Sequence, residues 1–525
     1  MVLGVSVPRS ASEHPRREAV SDLLVAGADT VIIRAEVTVA SSRQTYAVSS
    51  WLFARALGAV LFVAFVSLGV QAKGLFGANG VTPISMLVEQ AKSAGHSFWQ
   101  HPSALWWGSG DAMISAVWIV GAIAALALLL GLLPKLALAV AWFAYLSFVS
   151  LGWPFMSFQW DALLLEASFT AFFFVPLRVW DRPRGHPAPH PIARWALWWL
   201  LFRLVFRSAW VKLASGDAAW ADLSALSYHY WTQPLPTVLG WYANLLPAWF
   251  QKLSCALMFA VEFAAPALIF LPWAWARRFA AATIVALMVL IALTGNYGFF
   301  NLLTIVLCIP LLDDRSLARI VPGRFDGKPA PDRKTKCNAW PGFAPALVIA
   351  LSATIFVMGT FGQRLPRSLA PIYRFSTFNN YGLFSVMTTE RPEIEIEGSS
   401  DGENWKPYVF RYKPGPLDRA PVWSTPHQPR LDWQMWFAAL GDYRRNVWLG
   451  NLMRRLLQGE PTVLALLDEN RFEDEPPKQV RAVVYRYEFT DRDERRATAN
   501  WWKRGERALY APILGVEIEP PSTAE

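Results

Sequence analysis

Residues 194–242 read RWALWWLLFRLVFRSAWVKLASGDAAWADLSALSYHYWTQPLPTVLGWY, and this stretch decides how the rest of the chain is read. An apolar helix carries Arg203, Arg207 and Lys212, then passes into a polar loop dense in Trp, Tyr and His. A charge inside a membrane helix costs several kcal/mol unless it is paired or hydrated. Three cations on one such helix therefore demand partners, and the loop beside them is a candidate working surface.

Composition places that helix in a membrane. Of 525 residues, 54% are hydrophobic and 17% charged, and 27 are Trp. The mean hydropathy is +0.26. Trp and Tyr favour headgroup depth. The net charge of +9 fits cytoplasmic loops rich in Lys and Arg, and no nucleic-acid-binding motif is present. The three cysteines form neither a disulfide framework nor a zinc spacing. Every Asn lacks the x-Ser/Thr context for N-glycosylation. Both absences favour a bacterial membrane. No P-loop, metal motif or GxSxG nucleophile elbow occurs, so the sequence calls for no cofactor and no metal.

A spanning helix needs about 20 apolar residues. Runs near that length fall at 51–71, 112–132, 135–152, 158–176, 194–212, 252–272, 275–293, 297–312 and 344–362. The last but one is short enough to be re-entrant, so eight or nine spans are expected. With nine, the basic connections around Lys135, Arg178–Arg194, Arg277–Arg278 and Arg315–Lys336 share one side with Arg55. The positive-inside rule makes that side cytoplasmic. The loop 213–251 and the chain beyond 363 then face outward, into the periplasm of a bacterium or the endoplasmic reticulum lumen of a eukaryote. Residues 1–50 read as a disordered extension, with the organised chain starting near Trp51 and the true start expected downstream of Met1.

The expected fold is thus a polytopic α-helical membrane protein with a transmembrane domain at 51–362. A C-terminal mixed α/β domain with β-hairpins follows at 363–525. Pro392–Gly398 alternates with period two, as a half-buried strand does. Asp401–Gly402 supplies a turn and Tyr408–Tyr412 a return strand. Segments 431–440, 446–459 and 462–470 read as short helices, and 480–490 as another strand.

Within the spans, Asp161 and Glu166 are the only acids of their helix. At 1.5 Å per residue, Glu166 lies about 12 Å below its outer end, Arg203 about 13 Å and Arg207 about 8 Å below theirs. Glu262 on the following span has a similar depth. Pairs Glu166–Arg203, Glu166–Arg207 and Glu262–Arg203 are therefore all permitted, either as scaffold or as a substrate or proton site. Lys212, at the outer end, either snorkels to the interface or is buried as a general base. Ser215 or Asp217 caps the next helix. In the loop, Trp220, Tyr228, His229, Tyr230, Trp231, Gln233 and Trp241 are candidates to engage the apolar surface of a partner. His229 is also a candidate proton-transfer group. Asn296 and Asn301 are expected to make local hydrogen bonds in a tight connection between spans.

Long motifs carry a resemblance. FQWDALLLEASF (158–169), LLFRLVFRSAWVKLASGDAAWADLSALSYHYWTQPLPT (200–237), NYGFFNLLTIVLCIPLLDD (296–314) and NYGLFSVMTTERPEIEIEGSSDGENWKPYVFRYKPG (380–415) resemble the lipase maturation factor family. PHQPRLDWQMWFAAL and VRAVVYRYEFT continue the likeness, which covers roughly 51–515. It implies a polytopic membrane factor with a non-cytoplasmic C-terminal domain. Animal members are endoplasmic reticulum factors that fold and assemble dimeric secreted lipases without being lipases. The implied partners are membrane lipids and a secreted client of lipase type, with no nucleic acid. A more distant likeness links WVKLASGDAAW to the lysine-bearing segment of vitamin K-dependent γ-carboxylase membrane domains. It implies the alternative of a membrane enzyme in which Lys212 is the catalytic base and His229 its proton-transfer partner, with Arg203 and Arg207 steadying an anion.

Overall fold

The computed structural model describes residues 45–183, 185–317, 340–363, 366 and 370–515. Most of the expected 1–50 extension and the basic segment 318–339 lie outside them. The described residues from Tyr46 onward belong to one compact unit.

Twelve helices of nine residues or more stand among the described residues: α1 (Ala47–Phe76), α2 (Ile84–Ser93), α3 (Asp111–Leu130), α4 (Pro134–Leu151), α5 (Gln159–Ala171), α6 (Pro191–Ala214), α7 (Ala248–Ile269), α8 (Ala274–Thr294), α9 (Phe300–Cys308), α10 (Trp340–Thr360), α11 (Arg430–Ala439) and α12 (Val447–Leu457). Six of them, α1, α3, α4, α7, α8 and α10, are long and apolar enough to cross a membrane. The expected count of eight or nine does not follow from length and composition alone. Helix α5 has 13 residues, about 20 Å against a hydrocarbon thickness of about 30 Å. Helix α6 has 24 residues but carries Arg194, Arg203, Arg207 and Lys212. Helix α9 has only 9 and runs into a short 3₁₀ turn at Ile309–Leu311.

Local chemistry sets the helix ends. The Asp314 carboxylate accepts from the backbone N–H of Ala47 at 3.1 Å and of Val48 at 2.9 Å, capping α1 from far along the chain. Helix α6 starts at Pro191, with the His190 ring accepting from Ile192 N–H at 3.3 Å. Helix α3 stops at Gly131, whose φ of 83° is left-handed. Helices α1 and α3 approach closely because glycines face the neighbour. A Cβ at Gly58 would lie 2.6 Å from the Leu129 nitrogen, and one at Gly121 would lie 2.2 Å from the Phe65 ring.

The tail forms a four-stranded antiparallel sheet in the order β2–β1–β5–β6, from β1 (Arg391–Ser399), β2 (Lys406–Pro407), β5 (Gln479–Phe489) and β6 (Trp502–Gly515). A two-stranded pair joins β3 (Val409–Phe410) to β4 (Leu467–Glu469). Strands β1 and β5 match the expected segments, whereas the strand that returns against β1 is β2 at Lys406–Pro407, ahead of the expected Tyr408–Tyr412. Three readings change. The return strand splits at Tyr408, its second half pairing with β4 instead of β1. Segment 462–470 is a helix only at Pro461–Leu464 before it becomes β4. Strand β1 is buried on both faces, not one. Its outward glutamates each meet cations: Glu393 with Arg391 and Lys413, Glu395 with Arg504, Glu397 with Arg481 and Arg507.

The tail shares a core with the helices. Phe158 stacks on Trp160, and both rings meet Trp433 of α11. Phe155 meets Trp448 of α12. Polar anchors run through this joint. Arg430 donates to both Asp161 oxygens at 2.8 and 2.9 Å and to the Phe155 carbonyl at 2.7 Å. The Tyr145 hydroxyl donates to the same carboxylate at 2.6 Å. Gln71 of α1 donates to Gln428 O and accepts from Arg430 N–H, both at 2.8 Å. Ser67 accepts from Gln428 N–H at 2.8 Å, which leaves its own proton to donate to His427 Nδ1 at 3.0 Å. Asn296 spans from Val422 O to the N–H groups of Ser424 and Thr425, so its bonds are long-range where local ones were expected. Asn301 is buried with no side-chain hydrogen-bond partner among the described residues.

Two outcomes test this joint. Arg430→Met leaves Asp161 buried and unpaired, and is expected to cost about 3–5 kcal/mol, whereas Asp161→Leu with Arg430→Met should recover much of the loss. Thermal unfolding of the purified protein in detergent reads both. Burial, with Arg430 and Arg411 behind it, lowers the His427 pKa to about 4. Protons then bind the unfolded chain more readily, so the His427 contribution is full above about pH 6.5 and is lost as pH falls toward 4. The melting temperature should drop across that window, and His427→Gln should flatten the drop.

Candidate functional site

Three of the α6 cations, Arg203, Arg207 and Lys212, stand at different levels, each with a different partner. Arg203 and Glu166 form a buried ion pair. The other Glu166 oxygen accepts from Asn379 N–H at 3.0 Å, from the Asn379 side chain at 3.1 Å and from the Tyr381 hydroxyl at 2.5 Å. Arg203 also donates to Asn379 O at 3.1 Å. Arg207 pairs with no acid here; it donates to Thr360 Oγ1 at 2.9 Å and Gly359 O at 3.1 Å on α10. Lys212 donates to both Glu262 oxygens at 2.9 and 2.8 Å. So of the three permitted pairs the structure contains Glu166–Arg203. Glu262 takes Lys212 in place of Arg203, and Asp161 takes Arg430.

Lys212 is only 5% exposed, so it does not snorkel. Its ammonium lies 5.4 Å from the Trp220 ring centroid as well as against Glu262.

This ion pair stands in the wall of a cavity of about 350 Å³. Its walls come from α6, α7, α8, α9 and the short helix Leu226–Thr232, closed by Leu383 and Phe384 of the tail. The lining is chiefly apolar, with Lys212, Glu262, His229, Tyr230 and Tyr297 among its polar members. One network fixes proton positions. The Gln233 amide donates to Tyr230 O at 3.2 Å and Thr294 O at 2.8 Å, so its oxygen is free to accept. The Tyr297 hydroxyl donates to that oxygen at 2.9 Å. Tyr297 must then accept from His229 Nε2–H at 3.1 Å. His229 Nδ1 is left with a lone pair and no hydrogen-bond partner among the described residues. Burial, then the Lys212 charge, lowers the His229 pKa to about 4, so the ring is neutral near pH 7.

The loop aromatics are mostly scaffold. Trp220, Gln233 and Trp241 are buried. Trp220 Nε1 donates to Phe384 O at 3.0 Å, and Trp241 Nε1 to Thr490 O at 2.9 Å. Tyr228, His229, Tyr230 and Trp231 are half-buried. Arg391 of β1 donates to the carbonyls of Trp231 at 3.1 Å and Pro234 at 2.9 Å. Asp217 caps Ala218–Ala221 and also accepts from Met387 N–H at 3.1 Å. Loop and tail thus form one body. Its exposed apolar side chains include Tyr242, Trp249, Val386, Trp423, Val447 and Leu509. Reasoning from sequence missed Tyr297, Asn379, Tyr381 and Phe384. A signal existed: Asn-Tyr-Gly recurs at 296–298 and 380–382, and each Tyr is a buried donor.

Residues 48–319 match the family model described as the lipase maturation factor transmembrane domain. Residues 377–512 match the lipase maturation factor C-terminal domain. Lipase maturation factor 2 of Gallus gallus is 34% identical over 89% of this chain and 81% of its own. Lipase maturation factor 2 of Homo sapiens is 35% identical over 86% and 80%. Lipase maturation factor 1 of Bos taurus is 31% identical over 88% of each chain. No solved structure matches. These relatives are animal proteins, and they lend no support to a bacterial placement or to the carboxylase-like alternative.

If the Lys212–Glu262 pair is scaffold, Lys212→Met should lower the melting temperature markedly by stranding a buried carboxylate. Lys212→Met with Glu262→Met should restore most of it. Differential scanning fluorimetry on the three purified forms reads the comparison.

Proposed function

The chain belongs to the lipase maturation factor family, and from that premise we propose that it folds or assembles a secreted client, of lipase type, at the membrane surface. The chain is an integral membrane protein with six helices able to span. We read α5, α6 and α9 as lying at membrane depth as well, which restores nine passes and sets the loop 213–251 and the tail on the non-cytoplasmic side. The mutual neutralisation of Glu166 and Arg203 supports that reading, since it removes the cost that would bar α5 and α6 from the hydrocarbon.

The observation that carries the proposal is the fusion of loop and tail into one body through Arg391, Trp241 and Asp217. A rigid platform beside the membrane holds a nascent client without needing a cofactor. Client contact then falls to exposed apolar groups such as Trp423, Val447 and Leu509, while Trp220, Gln233 and Trp241 shape the platform from within.

The test is recovery of active lipase from cells that lack their own factor. This chain should restore secretion. Changing Trp423, Val447 and Leu509 together to Ser should cut the yield several-fold at an unchanged level of the factor. Full yield from that variant would reject this surface, and no rescue by the unaltered chain would reject the client class.

A further inference from the structure

We propose that the cavity between α6, α7, α8 and α9 is a binding site for a neutral single-chain lipid with a hydroxyl head group. The inference stands on the cavity itself and does not depend on the client assignment.

Size comes first. The cavity measures about 350 Å³. An engineered apolar cavity of about 150 Å³ holds benzene, and ligand pockets start near 300 Å³. Interiors are otherwise packed to crystal density, so an apolar void this large goes unused only at a cost in stability. The body of the cavity, from Met258, Leu287, Met288 and Phe300, suits an alkyl chain.

The polar end selects the head group. Two of the three Lys212 N–H bonds go to Glu262, which leaves one donor over. Each Glu262 oxygen takes one of those bonds and keeps accepting capacity. A hydroxyl both donates and accepts, so it meets both needs. A carboxylate offers acceptors only and would face the Glu262 charge, while a bare hydrocarbon leaves all of these groups unmet. The Lys212–Glu262 pair is neutral overall, which favours a neutral occupant. The α7 and α8 helices that line it are largely uncovered by the rest of the protein, 28% and 33% of their apolar stretches being buried, so a lipid chain can approach from that side.

The experiment uses the full chain purified in detergent and 1-monooleoylglycerol with a diazirine in its acyl chain. After illumination, labelled peptides should map to α7 and α8. Unlabelled oleyl alcohol should compete at least ten-fold better than oleate or 1-octadecene. Met288→Trp, which fills the cavity, should reduce labelling at least ten-fold at an unchanged elution volume. Ser254→Phe, on α7, serves where the first variant misfolds. Equal competition by 1-octadecene, stronger competition by oleate, or labelling unmoved in a folded cavity variant would each overturn the proposal.

Discussion

The contact on which the remaining structure depends is the Arg430–Asp161 ion pair. It joins residues 269 positions apart, with a second carboxylate donor in Tyr145 and a backbone acceptor at Phe155. Neither charge is stable alone in an apolar body, because each would forfeit several kcal/mol of hydration. The tail and the helices can therefore separate only by stranding both. Gln71, Ser67 and Asn296 add neutral clamps along the same seam, and the stacked rings of Phe158, Trp160 and Trp433 fill the space between. The tail has no cysteine to staple it, and this seam supplies the missing constraint.

The same rule explains α6. Its cations are tolerated because each is consumed locally, Arg203 by a carboxylate, Arg207 by a carbonyl and a hydroxyl, Lys212 by a second carboxylate. The tail takes part at the deepest level, through Asn379 and Tyr381 on Glu166. Charges that look functional in sequence thus serve largely to position the tail and to shape a cavity. At the cavity, two of the three Lys212 protons go to Glu262 and one is left over.

Strand β1 shows the limit of reading periodicity. PEIEIEG alternates as a strand with one wet face does, yet Glu393, Glu395 and Glu397 are all buried. Alternation records side-chain polarity, and it cannot tell water from a facing ladder of Arg481, Arg504 and Arg507 that sits on β5 and β6. Strand β6 was missed for the related reason that most of its side chains are exposed, so no apolar pattern announces it.

Local sequence was enough for the membrane class, the positions of the long helices, β1 and β5, and it left the cap before Ala218 between Ser215 and Asp217, because these rest on apolar runs, alternation and short-range hydrogen bonds. Helix rise placed Glu166 and Arg203 at similar depth, and the structure pairs them. Tertiary structure alone decided which cation each acid takes, because depth says nothing of the direction a side chain faces around its helix. It decided, too, that Trp220 and Trp241 lie inside and that the tail is part of the membrane body. Those outcomes depend on contacts between residues more than a hundred positions apart, and no local pattern encodes them.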